Sequence, residues 1–163
     1  MKESEIKRDI LVVLMEGAVK PTQSVEYSAG YDLYTLNDTI IVPGRQLVKT
    51  GVMIGLPPCI DGHIRPRSGF SLYGMEGYTI PRFPWQKSKK KRFDADVIEG
   101  TIDCGFKKDI GVIVRSHDAP FFIEKGTRIA QIVFNAHEMP NLIQVKELLG
   151  FDRGGGLGHT GSM

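Results

Sequence analysis

Glycine and proline punctuate this chain from end to end, nineteen of one and nine of the other in 163 residues, and the runs between them are short. Such spacing suits strands of about four to eight residues better than helices. Strand-like runs fall at residues 10–15, 28–34, 39–42, 46–49, 52–56, 62–66, 120–123, 128–134 and 142–145. The first is expected to be buried, and 46–49 is expected to pair with 52–56 around Thr50-Gly51. Arg67-Ser68-Gly69-Phe70-Ser71 is too short and glycine-interrupted to read as a helix. Near-regular short strands predict a single all-β domain, a compact barrel or jelly roll.

One stretch organises the rest: Ile98-Glu99-Gly100-Thr101-Ile102-Asp103-Cys104-Gly105-Phe106, followed by residues 107–114. Alternation breaks at Cys104-Gly105 and resumes at Ile110, Val112 and Val114. That pattern predicts a β-hairpin with a glycine-containing loop and a carboxylate, Asp103, at its mouth. Glycines beside a carboxylate let backbone approach a ligand closely. An Asp satisfying local turn N–H groups is the plainer alternative. Arg65-Pro66-Arg67-Ser68-Gly69 packs two cations, a hydroxyl and a glycine into five residues, a compact anion site or a surface turn. Residues 150–163 hold six glycines, with Arg153, His159 and Thr160 among them. Forked guanidinium donors, hydroxyls and free N–H groups match the many acceptors of a polyphosphate. The tail lacks the Lys-Ser/Thr ending of a P-loop.

Charge narrows the partners. A net charge of +2 supplies no global basic field for nucleic acid. Two cysteines, Cys59 and Cys104, make neither a disulfide framework nor a metal-ligand pattern, which points to a reduced, cytoplasmic setting. The apolar run at 10–15 is too short for a signal core or a membrane span. Residues 78–95 carry Pro81, Pro84 and Lys87-Ser88-Lys89-Lys90-Lys91-Arg92, and read as an exposed basic insertion. A nuclear import signal or a nucleic-acid patch are the alternatives to a plain solvated loop.

In order along the chain stand Ala29-Gly30-Tyr31-Asp32-Leu33, Pro66-Arg67-Ser68-Gly69, Gly100-Thr101-Ile102-Asp103-Cys104-Gly105-Phe106, Gly126-Thr127-Arg128-Ile129-Ala130-Gln131, and Arg153 with Gly158-His159-Thr160-Gly161. This series resembles the five ordered motifs of the homotrimeric dUTPases, across nearly the whole chain. The resemblance implies a distorted jelly-roll, or β-clip, subunit spanning 1–149. It also implies a homotrimer with interfacial sites, and a glycine-rich arm, 150–163, that closes over the nucleotide. It implies hydrolysis of dUTP to dUMP and pyrophosphate with Mg2+, which keeps uracil out of DNA and supplies dUMP for thymidylate synthesis.

The same resemblance assigns roles. Asp103 would activate the attacking water, and Phe106, where the family usually has Tyr, would pack under the deoxyribose. Gly100, Ile102 and Gly111 would line the uracil site through backbone. Ser68, Arg67, Gly69 and Gln131 would hold the phosphates. Asp32 would reach metal-bound water or pair with Arg128. Arg153, His159 and Thr160 would clamp the γ-phosphate. Leu157 stands where the family usually stacks Phe on uracil, and the insertion 78–95 departs from the usual pattern. Two alternatives share the fold: a dCTP deaminase, which needs a Glu where Ile113 stands, and a nucleotide-sensing regulator that binds a partner through Phe83, Trp85 and the Lys run.

Overall fold

The computed structural model describes residues 9–150. Its strands are antiparallel and form four sheets. The central one runs β10 (Gly100–Ile102), β6 (Ile60–Arg65), β13 (Arg128–Ala136), β2 (Gly30–Tyr34). A second runs β3 (Thr39–Ile41), β12 (Phe121–Ile123), β7 (Met75–Thr79), β8 (Lys90–Phe93). A third runs β4 (Gly44–Lys49), β11 (Gly111–Ser116), β9 (Ala95–Ile98). Finally, β1 (Leu11–Leu14) pairs with β5 (Val52–Gly55). The sheets close on one apolar core in a distorted jelly roll. Alternation does the sorting: Val112 and Val114 are buried in β11 while Ile113 and Arg115 face outward, and Ile60 and Ile64 do the same for β6. Each fully buried side chain of this size stabilises the fold by about 1.5–3 kcal/mol.

The expected hairpin exists in altered form. β9 and β11 pair, with Ile113 opposite Ile98, but β10 leaves them and joins β6, with Ile102 opposite Gly62. The loop that carries Asp103 therefore bridges two sheets.

Other expectations give way to tertiary contacts. Strands β4 and β5 do not pair with each other, because residues 109–110 wedge between them. The Ile110 N–H donates to the Val52 carbonyl (2.8 Å) and the Thr50 N–H to the Ile110 carbonyl (3.2 Å). The Thr50 hydroxyl also donates to the Ile110 carbonyl, and the Gly51 N–H, at φ +70, donates to Asp109 Oδ1 (2.8 Å). β1 is a strand, but an exposed one, with Leu11 71% and Val13 59% accessible. Residues 142–145 form no strand; Leu142 is 97% exposed and pairs with nothing among the described residues. Strand propensity without a free partner edge in the same chain leaves such a segment unpaired.

The segment after Pro66 is helical after all: α1 (Ser68–Tyr73). Phe70 anchors it in the core, and Gly74 closes it at φ +77 with its N–H on the Phe70 carbonyl. The basic stretch is likewise more ordered than its charge suggests. Its latter part is strand β8, and Glu76 on β7 bridges Lys90 Nζ (3.1 Å) and Arg92 Nη2 (3.0 Å). The Lys90 hydrogen bond holds the Glu76 carboxyl below its usual range, and Glu76 in turn raises Lys90. On the other face Phe93 is buried and stacks on Phe121, centroids 4.0 Å apart.

Gly74 tolerates no side chain: a Cβ there would lie 2.1 Å from the Phe93 carbonyl oxygen, at a φ that L residues rarely adopt. Gly74→Ala is expected to lower the free energy of unfolding by roughly 2 kcal/mol, read by urea denaturation.

Candidate active site

Three neighbouring strands bring together motifs that are far apart in sequence. Gln131 on β13 lies opposite Asp32 on β2 and opposite Arg65 on β6. Just past β6, Arg67 turns back so that its Nε lies 2.8 Å from Asp32 Oδ1. Arg128 Nη1 lies 3.3 Å from Asp32 Oδ2, and the Ser24 hydroxyl donates to that same oxygen. Asp32 is only 4% exposed, so it is a buried anion neutralised by two guanidinia at the surface. Gln131 Nε2 donates to the Pro66 carbonyl at 2.9 Å, fixing the start of the Arg67-Ser68-Gly69 turn. Gly30 leaves room beside it, since a Cβ there would lie 2.1 Å from Gln131 Oε1 and force that side chain to move.

A cavity of about 290 Å³ opens at this point, lined by Ser28, Asp32, Arg67, Ser68, Gly69 and Gln131. No side chain caps the first N–H groups of α1, so they remain available to an acceptor beside the exposed Ser68 hydroxyl. Guanidinium, hydroxyl, amide and backbone N–H groups converge here on one small volume. That is the chemistry of a phosphate cradle.

Asp103 lies elsewhere. Ile102, 9% exposed, pins the end of β10, and the Phe106 N–H closes a turn on the Asp103 carbonyl at 3.0 Å. The Asp103 side chain is exposed, as are Gly100 and Gly105, and Phe106 is 37% accessible. Gly111 packs against β4, where a Cβ would strike Leu47. Because β10 runs antiparallel to β6, Asp103 sits beyond Gly62, while Arg67 and Ser68 lie past Arg65 at the opposite end. At the rise of a strand this separates them by roughly 15–20 Å. One chain thus brings Asp32, Arg67, Ser68, Gly69 and Gln131 together and sets Asp103 and Phe106 beyond the other end of β6. Ile102 and Gly100 lie along β10 between them, opposite Gly62 and Ile64, and Gly111 starts β11 opposite Lys49. Arg153, Leu157, His159 and Thr160 lie outside the described residues.

Among the described residues no cluster of three or more His, Cys, Asp or Glu side chains could hold a metal. Both oxygens of Asp32 already face cations or a hydroxyl.

Sequence reading missed two residues that position these groups. Ser24, in a loop, orders Asp32. Asp109, in a charged run, ties the base of the Asp103 loop to Gly51. The pairing of a Thr-Gly turn with a distant Asp is the signal that could have found the second; Ser24 leaves no local mark. Ile113, the position a deaminase would fill with Glu, is an outward apolar side chain.

A jelly roll with a phosphate cradle at the head of its short helix falls in the class of all-β nucleotide hydrolases. The dUTPase family model matches residues 17–82 and 74–161, and the chain belongs to the dUTPase family. It is 38% identical over 152 residues to the deoxyuridine 5'-triphosphate nucleotidohydrolase of Clostridium tetani, covering 91% of this chain and 93% of the relative. The Rabbitpox virus protein of the same name is 37% identical, covering 88% and 86%. Among solved structures, a variant of the Staphylococcus bacteriophage 80alpha dUTPase with dUpNHpp superposes with a TM-score of 0.76 at 23% identity, over 94% of this chain and 99% of that one. A mutant of the dUTPase from phage phi11 of S. aureus, described with a structural Mg(II) ion, superposes with a TM-score of 0.68 at 21% identity, over 85% and 97%.

Removing the Asp32 carboxylate leaves two guanidinia facing each other. Asp32→Ala is expected to cost about 1–3 kcal/mol of stability, the guanidinia being part-exposed, and to raise KM for dUTP through misplacement of Arg67. Denaturant titration and steady-state kinetics check the two effects.

Proposed function

We propose that this enzyme, a dUTP diphosphatase by family, completes its site only between subunits of a homotrimer. The single observation that carries this reading is the distance between Asp103 and the Arg67-Ser68-Gln131 cradle within one chain. In-line attack needs the activated water and the phosphate donors within a few ångströms of one phosphorus. A second copy must therefore supply one of the two groups. The exposed apolar surface agrees: Leu11, Val13, Leu142, Ile143, Leu148 and Leu149 are open to solvent in the isolated chain, more than a monomer ordinarily leaves uncovered.

In the assembled site Asp103 orients a water toward the α-phosphorus and takes its proton. The new P–O bond forms as the bond to the β-phosphate oxygen breaks, releasing dUMP and pyrophosphate. Ser68 donates to the departing bridging oxygen. Arg67, the Gly69 N–H and Gln131 hold the phosphate oxygens. Preorganised donors of this kind contribute about 3 kcal/mol each to the barrier. Asp32 keeps Arg67 and Arg128 aimed at the cradle and would meet a metal only through water. Mg2+ bound with the triphosphate would neutralise phosphate charge while retaining mostly phosphate and water ligands.

Phe106 packs beneath the deoxyribose, where a 2′-hydroxyl would collide. Backbone at Gly100, Ile102 and Gly111 reads the uracil edge, and the buried Ile102 side chain fixes that backbone. Cytosine presents the wrong donor pattern to it. The arm, 150–163, closes over the nucleotide, with Arg153, His159 and Thr160 on the γ-phosphate and Leu157 over the base. The setting proposed is cytoplasmic. No helix among the described residues is long and apolar enough to cross a membrane.

Asp103→Asn is expected to abolish nearly all pyrophosphate release while dUTP still binds, measured by equilibrium titration. Arg67→Ala should be inactive on its own as well. Co-refolding the two inactive variants in equal amounts is expected to restore about a quarter of wild-type turnover, because mixed assemblies contain sites with both groups intact. No recovery would rule out the shared site.

A further inference from the structure

The outer hairpin has a composition and a geometry that dUTP hydrolysis does not use. Residues 80–92 hold six Lys and Arg and no Asp or Glu. Since the chain as a whole is only +2, the rest of it is net acidic, and the net positive charge is gathered on this one projection. Lys90 and Arg92 are engaged by Glu76 on one face of the β7–β8 ladder. Arg82, Lys87, Lys89 and Lys91 have no carboxylate partner among the described residues. Lys91 instead lies over the outer edge of the core, its Nζ 4.5 Å from the Phe93 ring centroid. Lys87 and Lys89 border a groove of about 410 Å³ floored by Ile80 and Pro81.

At the tip, Phe83 and Trp85 stack in parallel, centroids 4.9 Å apart and planes within 2°. Both are exposed, Trp85 at 77% and Phe83 at 49%. An apolar pair has every reason to bury itself in the nearby groove, yet it stands clear with a ring face open to solvent. A stacked platform with an open face, at the head of a row of unpaired cations, combines the two parts of a single-strand binding surface. The ring takes a base, and the cations follow the phosphates. A folded acidic protein would use the cations without needing the platform.

We propose that this hairpin binds single-stranded nucleic acid, with a base continuing the Phe83–Trp85 stack and the phosphates running along Lys87, Lys89 and Lys91. The surface is independent of base identity, because it offers a π-face and charge but no arrangement of donors to read a base edge. It would hold a hydrolase of dUTP close to a polynucleotide without placing that polymer in the active site.

Trp85 is the chain's one tryptophan, so its fluorescence reports directly on the platform. The full-length protein is titrated with an oligothymidylate of about 15 nucleotides, which contains no deoxyuridine. Saturable quenching is expected. The logarithm of the affinity should fall with the logarithm of salt at a slope of about −2 to −3, for three or four phosphates on a single strand. With labelled oligonucleotide and anisotropy, Trp85→Ala should weaken binding about tenfold with the slope unchanged. Combined Lys87→Gln, Lys89→Gln and Lys91→Gln should flatten the slope. Both variants should retain dUTP turnover, which reports a native fold.

Three results would overturn the proposal. One is oligothymidylate binding without quenching in the unmodified protein. Another is inorganic polyphosphate binding as tightly as oligothymidylate with Trp85→Ala neutral, which would reduce the hairpin to a charge patch. The third is a blue shift of Trp85 with phosphatidylserine vesicles and no response to oligothymidylate, which would assign the surface to membranes.

Discussion

A buried carboxylate between two guanidinia holds the working part of this molecule together. Asp32 sits in the middle of the central sheet's edge strand and draws Arg67 from one loop and Arg128 from β13 onto itself. Those two cations would otherwise repel each other across a small cavity. Paired to one anion, they present their remaining N–H groups outward in a fixed arrangement. The arrangement costs desolvation of a charge, which is repaid only because Ser24 and both guanidinia satisfy it together. Much of the surrounding design serves this cluster. Gly30 makes room for Gln131, Gln131 pins Pro66, and Pro66 leads into the short helix whose first N–H groups face the same space.

The fold class was legible in the chain because turn residues and alternation act locally. The strands at Gly30, Thr39, Phe121 and Arg128 begin within about two residues of where alternation and turn signals put them. Partnership was not legible. Thr50-Gly51 looks like a hairpin turn, but Asp109, nearly sixty residues away, takes its N–H and inserts Ile110 between the strands. The helix at Ser68 is short and contains a glycine, so propensity alone argues against it, and burial of Phe70 decides the matter. The run ending at Arg92 looks like a plain solvated loop until Glu76 is placed across from it and Phe93 beneath it.

The site was legible in a different way. Its residues stood out as ordered motifs in a family pattern, not through any local physical signal strong enough alone. The structure adds what order cannot convey, that the cradle residues and Asp103 stand at opposite ends of β6. The supporting residues, Ser24 and Asp109, were invisible because a single hydroxyl or carboxylate in a polar loop looks like any other.

The second cavity by Arg67 has walls worth following outward. Arg67, Gly69 and Arg128 line it together with Gly74, Glu76 and Arg92. Glu76 and Arg92 are rungs of the same two-stranded ladder that carries the outer projection. The foot of that projection is therefore a wall of the cavity next to the cradle, and a hydrogen-bonded ribbon braced by ion pairs to Glu76 carries it, not a slack linker. An added segment rooted in this way borders the cations that Asp32 holds without being one of the phosphate donors.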